Sequence, residues 1–448
     1  MDGAKLPMGL KYRGKFLPHW PDRILGPRPG MKEMNLVCWG LFVAFLVVPF
    51  CVVRWAQIKT GSGSIRQLHS DFVYFYGVGH IMHEYPSVRL YDYSLQRKTF
   101  SDIYPARDGV YGPSPYPPFV ALFFSLFARV PFDLAYLLWL GISLALYLIG
   151  ITATVKEVFP RERLKISLIF CFALAFYPFF FGTLANGQLS SVAVCSVGIA
   201  IFQERHSKPF RSGLALSILT YKPTLLLLLV PMLFLTRRFR TLFGFITGTM
   251  ILILVATAFA GVQIWPAYIH LLSYFGHAAG LGGHSALQLW KYIDLSSFSY
   301  AVSRGRSRAG LGILICAIGT IAAGLAVLLW RSARGGSPAQ YLAWAATLTW
   351  TLLLNVYVPI YDSVLVTIAI ILTLGALRDL HWSDATHWFT FMAILIFAVS
   401  WMTEAFARSH GIQLLTILLA VLGLGQLFFL HRLIQQRSQQ EKSEMFAE

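Results

Sequence analysis

The chain has 448 residues, 56% of them hydrophobic and only 13% charged, with a mean hydropathy of +0.61. That balance excludes a soluble domain and predicts a polytopic membrane protein. The net charge of +17 sits mostly at the ends of apolar runs and not on one basic face, so it marks cytoplasmic connectors and anionic-lipid contact, not nucleic-acid binding. All five cysteines (Cys38, Cys51, Cys171, Cys195 and Cys316) lie inside apolar runs without Cys-x-x-Cys spacing, so neither disulfides nor a zinc site is expected.

The basic arm 1–33 is expected in the cytoplasm. It is not read as a cleaved leader, because the apolar run 34–53 is long for a signal core and lacks a small-residue cleavage site. That run crosses outward, and residues 54–132 form a large first outer loop rich in polar and aromatic residues. Within it, 117–128 starts with two prolines and is short, which predicts a helix dipping into the outer half of the membrane. Residues 133–153 return inward to the basic connector of Lys156, Arg161, Arg163 and Lys165. The runs 164–182 and 188–203 then form an outward and inward pair around a tight outer turn at 183–187.

Between Arg205, Lys208 and Arg211 on one side and Arg237, Arg238 and Arg240 on the other lies apolar sequence broken by Lys222-Pro223. Both flanks belong inside, so two short helices folded at the break fit better than one span, and such breaks need protein or a wet cavity around them. Residues 241–261 cross outward, 262–309 form a second outer loop, and 310–330 return. The runs 340–354 and 362–377 flank an outer turn at 355–361. Spans around 387–403 and 412–430 end in a polar cytoplasmic tail, 431–448. The reading is all-α: about twelve transmembrane or re-entrant helices over 34–430, counted at about 20 residues per crossing. Both termini are cytoplasmic and the cell membrane is the expected location.

This arrangement collects the polar clusters on the outer side. Asp71 opens the first loop's polar stretch; it reads as a helix N-cap, shared with Ser70, or as a general base placed to take a proton from a hydroxyl. Tyr91, Asp92 and the segment 111–118 with Tyr116 first suggest turn and interface chemistry. Asn186-Gly187-Gln188 reads as a tight turn whose amides are also suited to a sugar hydroxyl. Lys222 inside apolar sequence costs about 2.5–3.5 kcal/mol unless compensated, so it faces a buried partner or an anion. His277, His284 and Lys291 are ordinary loop residues or the cations that a phosphate needs. Tyr361 and Asp362 close the late outer turn. No His-Glu-x-x-His or comparable metal spacing occurs.

Several features in this order resemble glycosyltransferase family 87: Asp71 after the first span, Leu-Tyr-Asp at 90–92, Tyr-Pro-Pro at 116–118, and Gly-Gln at 187–188. The stretch from Gly213 to Lys222-Pro223 and Pro-Ile-Tyr-Asp at 359–362 continue the pattern. This is a branch of the GT-C membrane glycosyltransferases that includes mycobacterial polyprenol-phosphate-mannose-dependent mannosyltransferases, and the resemblance covers about 34–377. It implies inverting transfer of one sugar from a polyprenyl monophosphate to a lipid or glycan acceptor on the outer face, with no nucleotide sugar, no cofactor and no essential metal. Asp71 stands where the family's base stands. Some relatives carry a histidine near the late outer turn where this chain has Tyr361 and Asp362, so the sugar is mannose or another hexose or pentose. The competing class is a transporter or lipid-linked-sugar flippase, which uses similar helices but is commonly built from two related halves; no repeat is visible here.

Overall fold

The computed structural model describes residues 71–104, 111–160, 163–281, 288–303, 308–333 and 335–445. The basic arm, the expected span 34–53, Ser70, Asp108, His284, Arg304 and Arg306 lie outside them, as do the side chains at 274–281, His277 among them. In chain order the helices are α1 (Phe72–Glu84), α2 (Tyr93–Ile103), α3 (Pro118–Ser125), α4 (Phe132–Val158), α5 (Arg163–Leu174), α6 (Ser190–Arg205), α7 (Pro209–Ser217), α8 (Leu229–Leu235) and α9 (Phe239–Ala260). They continue with α10 (Ile264–Leu281), α11 (Leu295–Val302), α12 (Arg308–Ser332), α13 (Ser337–Leu353), α14 (Leu365–Asp379), α15 (Ser383–Ser400), α16 (Thr403–His410) and α17 (Leu414–Met445).

Among the described residues, six helical stretches are long and apolar enough to cross a membrane: α4, α9, α12, α14 together with the 3-10 turn Ile360–Val364 that leads into it, α15 and α17. A seventh crossing follows if α5 and the π-helical turn Pro178–Ala185, bent by 56° from it, make one broken span. The bend falls at Pro178, whose missing N–H and ring disfavour a straight continuation. Helices α6 and α13, of 16 and 17 residues, run between the same two ends of the bundle as the longer ones.

Contacts identify those ends. At one, Tyr136 and Trp139 near the start of α4 donate to Ala185 O (2.7 Å) and Gly187 O (2.9 Å). At the other, Arg205 of α6 bonds Glu157 (3.1 Å) and Ser337 Oγ (2.8 Å), and Arg238 pairs with Glu204. Helix α4 crosses α6 so closely that a methyl group on Gly150 would stand 2.4 Å from Val194 O. Small residues at such crossings let backbones approach where lipid supplies no hydrophobic drive.

The segment from α7 to α8 leaves the far end and returns to it: α7 packs on α6 and on the first half of α9, and Arg238 just past α8 reaches Glu204. The turning point is Lys222, which interrupts helical geometry at φ −138°, ψ 83° between two 3-10 turns.

The expected first outer loop is largely helical. Helices α1, α2, α3 and α10 share a small core of their own around Val73, Ile81, Phe100, Ala121, Ile264 and Tyr268, seated on the site end of the bundle. The second loop differs from its sequence reading in holding the 18-residue α10. The polar tail prolongs α17 to Met445, because Gln, Glu, Lys and Arg sustain a helix without apolar residues, and Arg437–Glu441 adds an i,i+4 pair at 3.3 Å. A largely apolar cleft of about 920 Å³ lies between α5, α14 and α15, lined from Thr367 to Arg378 along α14.

Candidate active site

Four separate stretches converge at the site end: the start of α1, the turn before α6, the Lys222 break, and the loop 355–362 before α14. Asp71 occupies the N-cap position of α1, yet its side chain makes no cap hydrogen bond. Its carboxylate accepts instead from the side-chain amide of Gln188. The residue is packed deep among other groups but retains partial access. Burial holds the Asp71 carboxyl above the ordinary value of 3.8, opposed by the Gln188 hydrogen bond and by the charges of Lys291 and Lys222.

Gly187 explains how Gln188 gets there. Its φ is +69°, which favours glycine, and a methyl group on it would stand 2.7 Å from Phe72 Cβ. The backbone of the turn thus lies directly on the residue after Asp71. Trp139 and Tyr136 hold the same turn from α4, and Tyr221 donates to Leu189 O (3.2 Å) from the segment before Lys222. Asn186 is half-buried at the end of the π-helical turn.

Lys222 is ion-paired with Asp362, which is 1% exposed and also accepts from Ser190 Oγ at 2.8 Å. The ammonium stands 4.8 Å from the Tyr361 ring centroid. The compensation demanded by an ammonium in apolar sequence is therefore a carboxylate 140 residues away. Asn355 Nδ2 donates to Thr224 O (2.6 Å), fastening the same two segments a second time.

Lys291 is exposed and lies within electrostatic reach of Asp71. Its segment is stitched to the late turn: Ile293 N donates to Val358 O (2.9 Å), Tyr292 forms an isolated antiparallel bridge with Pro359, and buried Asp294 accepts from Val358 N (2.9 Å). Asp294 also caps α11 through Ser297 N (2.8 Å) and Ser297 Oγ (2.9 Å). Burial, then neighbouring charge, pushes the Tyr74 and Tyr292 phenols up to about 12, so both stay protonated donors at neutral pH. Tyr116 packs on Phe75 at 4.9 Å, and burial and the charges of Asp362 and Asp71 push its phenol higher still.

Among the residues expected from sequence, the structure thus brings together Asp71, Tyr116, Gln188, Lys222, Lys291, Tyr361 and Asp362. Tyr91 and Asp92 have structural partners: Tyr91 Oη donates to Tyr116 O (2.8 Å), while Asp92 caps α2 through Ser94 N (3.0 Å) and Leu95 N (3.2 Å) and pairs with Arg89. Tyr74, Tyr292, Ser190 and Asp294 were missed as site residues. Only Asp294 had a local signal, an N-cap aspartate three residues before Ser297. No three His, Cys, Asp or Glu side chains converge among the described residues.

A helical, multi-pass bundle with a buried carboxylate, a lysine–aspartate pair and several phenols gathered at one end, beside a small helical cap, defines a class of membrane-embedded site. A model of glycosyltransferase family 87 matches residues 115–359, more than half of the chain, and the chain belongs to that family. It is a membrane glycosyltransferase, acting on a sugar donor and an acceptor. No curated protein and no solved structure matches it. Asp71, Tyr361 and Asp362 lie outside the matched residues, so their roles rest on geometry.

Proposed function

We propose that this glycosyltransferase moves one sugar from a polyprenyl-phosphate donor to a lipid or glycan acceptor on the outer face of the cell membrane, with inversion and with Asp71 as general base. The observation that carries this is the Asp71 carboxylate: free of the helix-capping task its position suggests, hydrogen-bonded by Gln188, and within electrostatic reach of Lys291 and Lys222. The acceptor hydroxyl gives its proton to Asp71 while its oxygen bonds to the sugar's anomeric carbon. The bond from that carbon to the phosphate oxygen breaks, and the electron pair leaves with the polyprenyl phosphate. A phosphate is already a good leaving group, so a base and a cationic environment suffice, unlike the paired carboxylates of glycoside hydrolysis.

Two further features fit. The buried phenols of Tyr74 and Tyr292 stay protonated and can donate to sugar or phosphate oxygens. The apolar cleft along α14 begins five residues after Asp362 and runs away from the site, an environment suited to a polyprenyl tail. Asp71→Asn preserves size and removes basicity; turnover from a purified polyprenyl-phosphate sugar is expected to fall about 10²- to 10⁴-fold. Near-normal turnover by folded Asp71→Asn protein would refute the assignment.

A further inference from the structure

A leaving phosphate needs cations that are free to meet it, and Lys222 is poorly placed for that because Asp362 already neutralises it. Lys291 differs. It makes no ion pair among the described residues, and its Nζ stands 5.0 Å from the centre of the Trp290 ring. A second cation shares that ring: Arg408, in the last turn of α16, with Cζ 5.6 Å from the ring centre and likewise no carboxylate partner among the described residues. Helix α14 runs from Asp362 to the far end and α15 comes back, so α16 lies at the level of the site.

The arrangement around Trp290 is built. Gln413 Nε2 donates to Trp290 O (2.7 Å), the Gln413 carbonyl accepts from Thr403 Oγ1, and Leu415 N donates to Thr403 Oγ1 (3.1 Å). These bonds latch the Lys291 segment to the corner between α16 and α17. A cavity of about 370 Å³ opens on the same corner, lined by Trp290, Phe298, Ala407, Gly411 and Gln413 among others; Lys291 and Arg408 adjoin it through the Trp290 ring and are not part of its lining. The acid one turn before Arg408, Glu404, accepts from Tyr177 Oη at 2.8 Å and makes no ion pair with either cation, though it lies within electrostatic reach of Lys291. Two cations on one indole, neither of them in an ion pair among the described residues, make a local positive site that an anion can meet.

We propose that Lys291 and Arg408, the two cations on the Trp290 ring, hold the phosphate ester of a membrane-anchored substrate. This rests on the transferase reading and deepens it. A phosphate oxyanion accepts charge-assisted hydrogen bonds from both heads. Lys291 is also in electrostatic reach of Asp71, which sets this phosphate on the base's side of the molecule. Two sources supply such a phosphate: the donor's polyprenyl phosphate, or the headgroup of an anionic acceptor lipid.

The test uses the full-length protein and its Arg408→Gln, Arg408→Lys and Lys291→Met variants. Binding of a short-chain prenyl phosphate, the matching prenyl alcohol and inorganic phosphate is measured without turnover, followed by KM for donor and acceptor. Arg408→Gln and Lys291→Met are expected to weaken the phosphate ligand about tenfold or more, with Arg408→Lys retaining most affinity and the alcohol unaffected. A rise confined to the donor KM assigns the site to the donor, and one confined to the acceptor KM assigns it to an anionic acceptor. If prenyl-phosphate affinity and both KM values stay unchanged in both charge-removing variants, the site is overturned. Transfer that remains sensitive to Asp71→Asn in that case leaves the transferase reading standing. Arg408-dependent prenyl-phosphate binding by a protein that transfers nothing would do the reverse.

Discussion

The Lys222–Asp362 pair gives the sharpest energetic prediction. Asp362 is 1% exposed and Lys222 17% at the side chain, so the two charges are unequally protected. Lys222→Met leaves a buried carboxylate with the Ser190 hydroxyl as its remaining side-chain partner among the described residues, and removing one member of a buried pair costs about 3–5 kcal/mol because the other charge is left uncompensated. Asp362→Asn leaves an ammonium that keeps some water and the face of Tyr361 at 4.8 Å, which places its loss at or below the lower end of that range. Lys222→Met/Asp362→Asn removes both charges, and its loss is expected to fall short of the summed single losses by about 1–3 kcal/mol. Unfolding of all four proteins in one detergent at neutral pH gives the cycle. Additive losses, or Asp362→Asn as the more damaging single change, would refute the reasoning.

A base works deprotonated, so activity falls as pH drops through the Asp71 pKa; with that pKa raised, kcat/KM should begin to fall at higher pH than for an ordinary carboxylate. Gln188→Leu removes a bond that favours the ionised form, so the acid limb should shift further up, and a limb that stays put or moves down would disprove the coupling. Arg97 is exposed on α2 in the cap over the site; in a chain stripped of its five cysteines, Arg97→Cys is expected to react with an impermeant thiol reagent in intact cells. Labelling only after lysis would place the cap inside.

Much of the architecture is legible because membrane physics writes it locally. The break at Lys222-Pro223 combines a charge and a ring that a straight apolar helix excludes, and the structure turns the chain there. Asp71 and Gln188 stand out as polar groups at the ends of apolar runs. What the sequence conceals is partnership. The carboxylate for Lys222 lies 140 residues on, and nothing local distinguishes it from the other outer acids. Helix α10 was hidden for a different reason: it buries Ile264, Tyr268 and Leu271 on one face, an i, i+4, i+7 pattern that a search for long apolar runs passes over. Asp92 is legible as turn chemistry, and the two first-turn amides it accepts from make it a cap.

Asp294 carries the argument one step further, since it links the cation to the base. It touches neither Lys291 nor Asp71, yet its carboxylate caps α11 and receives Val358 N–H, so one buried side chain fixes the segment bearing Lys291 against the loop that ends in Asp362. Asp294→Asn preserves shape but replaces one acceptor oxygen with an amide donor, leaving either Val358 N–H or a Ser297 group facing another donor. An unmet buried hydrogen bond costs about 1–3 kcal/mol, a loss that unfolding would detect. The more telling readout is kinetic. Lys291 would lose its register while Asp71, Gln188 and Gly187 are untouched, so the KM for the phosphate-bearing substrate should rise with the acid limb of the pH profile nearly in place. If Asp294→Asn lowers stability but leaves every KM unchanged, the link between the second loop and the late turn is scaffolding alone, and Lys291 finds its position without it.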